Sequence, residues 1–133
     1  PQGGDELNIL ENGHNYGWPV ITYGIDYDGT IISEKTRQEG MEQPIFQWNP
    51  SIAVCPAEFV ESPLFPKWKH NLLVGALKYQ ELRRLTIVEQ RVIHEEVIFK
   101  GLGRVRDLKY GPDGALYVLL NGPDQVLRIT PEN

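Results

Sequence analysis

From Ala57 onward, short apolar runs alternate with turn residues, and helical periodicity is nearly absent. Runs rich in Val, Ile, Leu and Tyr at 57–60, 71–77, 82–88, 92–99, 105–110, 115–120 and 125–129 predict strands. Such side chains suit a pleated, half-buried surface. Gly111-Pro-Asp-Gly114 and Asn121-Gly-Pro-Asp124 separate neighbouring runs and predict tight antiparallel connections. Two stretches also resemble each other at an offset of 44, with Leu72, Val74, Arg84 and Leu85 falling on Leu116, Val118, Arg128 and Ile129. A repeat of about that length, holding about four short strands, is the signature of β-propeller blades. Two similar hairpins in a sandwich give the competing reading.

The first part of the chain differs in character. Residues 5–11 read as a strand, after which Gly13-His-Asn-Tyr-Gly-Trp-Pro19 opens a polar stretch reaching Gln43. That stretch predicts an elaborated loop region, the kind that carries sites on a rigid scaffold. The expected organisation is a loop-rich region with short strands over 1–52, one four-stranded blade over 53–100 and a partial last blade over 101–133. Asp5, Glu6, Asp26 and Asp28 are candidate oxygen ligands for a hard cation, with ordinary solvated acidic loops as the simpler reading.

Composition narrows the class further. The 133 residues suffice for a domain with its own core, and 13 Gly and 10 Pro imply many turns. A formal charge of -5 argues against a nucleic-acid or membrane-surface partner. No apolar run has membrane length and no signal peptide follows Pro1, so the start reads as an interior cut. Cys55 is the sole cysteine, which forbids an intrachain disulfide, and it reads as a packing residue. Within this acidic chain, Gly101-Leu-Gly-Arg-Val-Arg-Asp107 and Gly75-Ala-Leu-Lys78 together carry three cations. Strand alternation would point Arg104 and Arg106 the same way around Val105, toward a multiply charged anion that guanidiniums can grip bidentately. The competing reading is a solvated strand face with Asp107 as counter-ion. His14, His70 and His94 form no zinc-type pair, and neither a nucleophile-elbow nor a phosphate-loop pattern occurs. Spacing therefore assigns no catalytic residue.

Seven segments occur in order along the chain: Gly4-Asp-Glu-Leu-Asn8, Asn15-Tyr-Gly-Trp-Pro19, Trp48-Asn-Pro-Ser-Ile-Ala53, Phe65-Pro-Lys-Trp68, Asn71-Leu-Leu-Val-Gly-Ala-Leu-Lys78, Gly103-Arg-Val-Arg-Asp107 and Gly111-Pro-Asp-Gly-Ala-Leu-Tyr117. Together they resemble the soluble glucose/sorbosone dehydrogenase family. The resemblance implies an all-β, six-bladed propeller that binds pyrroloquinoline quinone (PQQ) and calcium and oxidises aldose sugars at C1 to lactones. It places this chain on the C-terminal portion, as a partial propeller of about two to three blades with long loops. On the same resemblance, Lys78, Arg104 and Arg106 bind the cofactor and Tyr27 contacts it. Glu6, through its carboxylate, and Tyr16, through its backbone carbonyl, hold a structural calcium. Pro1 falls on a carbonyl donor of the catalytic calcium.

The family's general-base histidine lies upstream, and none of the three histidines here corresponds to it. The implied chain is accordingly inactive alone and needs the missing N-terminal half or self-association. Its implied setting is the bacterial periplasm or beyond, with an aldose as substrate of the full enzyme and neither nucleic acid nor membrane as partner. A non-catalytic propeller fragment used for binding or assembly is the alternative, and a calcium-stabilised scaffold without cofactor is a third reading.

Overall fold

The computed structural model describes residues 2–132, and its regular structure is all β apart from one 3-10 turn. Two compact units divide between Ile52 and Ala53.

In the first unit, β1 (Asp5–Leu7) pairs antiparallel with β2 (Phe46–Trp48), in register Glu6 to Gln47. The strand expected over residues 5–11 thus stops at Leu7, and β2 is a short strand whose position within 1–52 was not specified. Three residues show no period, so β2 exists only because β1 supplies its hydrogen-bond partners. Between the two strands the chain makes turns and one isolated bridge, Gln2 to Ile25. Ile21, Trp48 and Ile52 are buried, and Phe46 meets Trp48 edge-on at 5.0 Å. Gly17 explains part of the Asn15 to Pro19 motif. Its φ of +91° suits glycine, and a Cβ there would collide with the Ile21 side chain, whose backbone N–H donates back to the Gly17 carbonyl at 3.0 Å.

The second unit holds two antiparallel meanders. One runs β3 (Val54–Phe59), β4 (Leu72–Ala76), β5 (Glu81–Val88) and β6 (Arg91–Lys100), in that spatial order. The other runs β7 (Arg104–Tyr110), β8 (Leu116–Asn121) and β9 (Gln125–Ile129). The seven strand expectations all fall on these strands. Pro56 sits in β3, an edge strand, where a missing N–H is tolerated. The sequence repeat also has a structural meaning: Leu72 pairs with Leu85 and Leu73 with Arg84 in one hairpin, as Leu116 pairs with Ile129 and Tyr117 with Arg128 in the other.

Val60, Phe65, Leu73, Leu82, Val105, Leu108, Leu116, Val118 and Leu120 form one buried cluster drawn from both sheets. The 3-10 turn Pro66–Trp68 presents Trp68, which stacks on Phe65 at 5.4 Å and carries the Arg84 guanidinium 5.2 Å from its ring centre. The Phe65 to Trp68 motif is therefore a packing device at this unit's core.

Candidate functional site

Strand β7 is not regular where its arginines lie. Val105 pairs with Leu120 and Asp107 with Leu119, leaving Arg106 as the extra residue of a β-bulge. Strict alternation would put Val105, Asp107 and Lys109 on one face. The bulge instead buries Val105 and Leu108, three apart, and exposes Arg104, Arg106 and Asp107. Arg106 Nη2 donates to Asn121 Oδ1 at 3.1 Å, and Asn121 is the residue paired with Arg104. Asn121 Nδ2 in turn donates to Asp124 Oδ1 at 2.9 Å, which turns its oxygen toward the guanidinium. That hydrogen bond from Asn121, with another from the Gly122 N–H, holds the Asp124 carboxyl below its usual range. Arg106, Leu119, Asn121, Asp124 and Val126 line an open cleft of about 410 Å3.

Lys78 is exposed in the turn joining β4 to β5. Its Nζ lies 5.7 Å from the centre of the Tyr79 ring, and Lys100 Nζ lies 5.4 Å from the same ring. Lys100 also bonds Glu81 Oε1 at 2.6 Å. Glu81 is only 2% exposed and receives Arg83 Nε at 2.8 Å, while Arg83 reaches Glu95 at 2.8 Å. Burial pushes the Glu81 carboxyl up, but bonds from Lys100 and Arg83, with their charges, outweigh it and hold the group below the ordinary 4.5.

Gly75 joins the two cationic segments. An added Cβ would run into the Cys55 carbonyl, lie 2.5 Å from Val105 Cγ1 and 2.8 Å from Pro56 Cδ. The end of β4 that leads into the Lys78 turn therefore lies against the start of β7, and Cys55 Sγ–H reaches the Arg106 carbonyl at 3.6 Å. Gly75→Ala should destabilise the chain by about 1–3 kcal/mol, because backbone and Val105 must both yield. Chemical denaturation checks this, and an unchanged midpoint would show that the sheets separate freely.

Arg84, Arg128 and Lys100 are each engaged by a carboxylate, like Arg83. Among the described residues, no salt bridge joins Lys78, Arg104 or Arg106 to a carboxylate. Asp107, the expected counter-ion, instead accepts the Leu108 N–H at 2.9 Å. The solvated-face reading loses its central contact.

The candidate metal residues lie in the first unit. Asp5 receives Ser51 Oγ at 2.8 Å and the Ile52 N–H at 3.0 Å, which ties β1 to the segment that follows β2. Asp26 accepts the Tyr27 N–H, and Asp28 accepts both the N–H and hydroxyl of Thr30, which hold its carboxyl below the usual range. Glu6 is half-buried, and its Oε2 receives Asn8 Nδ2 at 3.1 Å. Tyr16 donates its hydroxyl to the Ile9 carbonyl at 2.8 Å and accepts the Glu11 N–H at 2.6 Å. Tyr27 has an exposed ring, with its carbonyl held by Gln2 Nε2 at 2.7 Å. Pro1 lies outside the described residues. Among those residues, no three His, Cys, Asp or Glu side chains gather as a metal cluster. The histidines stand beside glutamates: His14 with Glu42, His70 with Glu61 and His94 with Glu96.

Sequence reasoning missed Asn121 and Asp124, although both occur in the Asn121-Gly-Pro-Asp124 turn. It also missed Glu81 and Asn8, whose importance depends on partners and burial. Among the described residues, no helix is long and apolar enough to cross a membrane.

A family model for glucose/sorbosone dehydrogenases matches residues 1–128. Aldose sugar dehydrogenase YliI of Escherichia coli strain K12 is 41% identical over 100% of this chain and 37% of its own length. A crystal structure of a glucose dehydrogenase superposes with a TM-score of 0.92 at 40% identity, covering 99% of this chain and 39% of that one. The PQQ-bound form of aldose sugar dehydrogenase from Streptomyces coelicolor shares the fold, with a TM-score of 0.63 at 21% identity over 96% of this chain and 36% of its own. The chain thus spans well under half the length of these relatives.

Proposed function

The chain belongs to the glucose/sorbosone dehydrogenase family, and on that premise we propose that it is the C-terminal part of a quinoprotein aldose sugar dehydrogenase whose Lys78, Arg104 and Arg106 bind PQQ. The observation that carries this reading is the exposure of Arg104 and Arg106 on a bulged strand, without carboxylate partners among the described residues, beside the segment that ends in Lys78. PQQ carries three carboxylates and an ortho-quinone, so this donor set fits it in charge and hydrogen-bond type. When bound, the quinone supplies the two-electron oxidant for conversion of an aldose at C1 to its lactone.

The chain's own residues hold and orient. Asn121, fixed by Asp124, steadies the Arg106 guanidinium, and Tyr79 gives the Lys78 ammonium an aromatic surface within cation–π reach. Tyr27 is proposed to pack against the cofactor. Glu6 and Tyr16 are proposed to hold a structural calcium, and Pro1 to contribute to the catalytic one. Hard oxygen donors suit that ion. No residue here is proposed as the general base, so turnover is assigned to the longer protein or to an assembly that supplies the missing half. By the same reading, that protein is exported to the bacterial periplasm or beyond.

Calorimetric titration of the chain with PQQ in excess calcium tests the proposal. Stoichiometric binding is expected, weakened about tenfold by each of Lys78→Ala, Arg104→Ala and Arg106→Ala. Equal affinity in all four proteins, or no binding by the unaltered folded chain, would overturn it. The second result would favour a propeller fragment used for assembly.

A further inference from the structure

Asn8 follows β1 directly, two residues beyond Glu6, within the Gly4 to Asn8 motif. Its Nδ2 donates to Glu6 Oε2 at 3.1 Å. Chemistry fixes this orientation, because the reversed amide would set two oxygen acceptors against each other. The other end of the amide is then committed: Asn8 Oδ1 is buried and accepts no hydrogen bond in the structure. A buried amide oxygen without a donor is disfavoured, and its presence asks what meets it.

Other polar side chains of the same unit are engaged elsewhere. Both oxygens of Asp5 receive Ser51 Oγ, the Tyr16 hydroxyl is held by Ile9 and Glu11, and Asn15 Oδ1 receives the Gly17 N–H. The loop from Asn8 to Tyr16 is also braced at both ends. The Ile45 N–H donates to the Leu7 carbonyl at 2.9 Å, and the Glu42 N–H to the Asn15 carbonyl at 2.8 Å. A neutral amide oxygen beside a half-buried carboxylate, on a braced loop, is the hard-oxygen combination that calcium selects. We propose that Asn8 Oδ1 is a ligand of the calcium ion assigned to Glu6 and Tyr16, an inference that rests on that calcium reading.

The test is calcium titration of the chain by calorimetry, with thermal unfolding measured at each calcium level, for the unaltered protein and for Glu6→Gln, Asn8→Leu and Asn8→Asp. Asn8→Leu should weaken calcium binding at least tenfold. Asn8→Asp keeps an oxygen but sets a second carboxylate against Glu6. It should therefore unfold at a lower temperature without calcium and gain more from added calcium than the unaltered chain does. A purely structural amide would leave Asn8→Asp equally impaired with and without calcium.

Loss of binding in Glu6→Gln with unchanged affinity in Asn8→Leu would overturn the role of Asn8 and leave the calcium reading standing, with water at Oδ1. Failure of the folded, unaltered chain to bind calcium at millimolar concentration would overturn both. Should Asn8→Leu not fold, the calcium dependence of Asn8→Asp decides the matter alone.

Discussion

Leu82→Ala should lower the unfolding free energy of the chain by about 2–5 kcal/mol, the usual range for truncating a fully buried leucine. Leu82 is 0% exposed and belongs to the cluster that includes Val105, Leu108, Leu116, Val118 and Leu120 of the second sheet. Its removal leaves a void that neither sheet can close alone, since its neighbours are held by their own ladders. Domains are stable by only about 5–15 kcal/mol, so this is a large share of the total. Urea denaturation measures it. A loss below about 1 kcal/mol would mean that the two sheets do not share a packed core.

The ion network at Glu81 carries the second large effect. Arg83→Leu should destabilise by about 3–5 kcal/mol, because it strips a buried carboxylate of one of its two cations. The paired change Glu81→Leu with Arg83→Leu should recover much of that loss, since isosteric apolar replacement of a buried ion pair is often close to neutral. An additive double variant would contradict this account.

Proton linkage gives an independent readout. The folded Glu81 carboxyl titrates below its ordinary 4.5, so folding favours the ionised form. Its contribution is complete above the unfolded value near 4.5 and disappears as pH falls through the lower folded value. The acid limb of a stability-against-pH curve should therefore flatten in Glu81→Gln, while stability above pH 6 drops to a constant lower level.

Most of the second unit was legible because its determinants are local. Short Val, Ile and Leu runs bounded by Gly, Pro, Asn and Asp specify strand, turn and strand within a few residues, and the offset of 44 marks equivalent hairpins. The first unit was less legible. β2 depends on β1 some forty residues earlier, and the loops between them are shaped by individual contacts such as Gly17 against Ile21.

The cations show the same division at one site. Residue identity and alternation were enough to single out Arg104 and Arg106, with Lys78 as a third cation, and motif resemblance to give the three a ligand. Alternation would also have buried Asp107 with Val105. The bulge at Arg106 reverses that by sending Leu108 inward, since burying a leucine is favourable and burying a lone carboxylate is not.

The sequence by itself determined the all-β class, the positions of the seven later strands, the family resemblance and the candidate cations. These follow from side-chain period, turn chemistry and motif order, all of which are read within short windows. Only the tertiary structure decided that Gly75 packs against Val105, that Asn121 and Asp124 orient Arg106, that Glu81 is buried among cations, and that Asn8 keeps a buried oxygen without a donor beside Glu6. Each of these depends on which distant backbone comes close and which polar group loses its water. Burial and approach are properties of the packed chain, and no local pattern carries them.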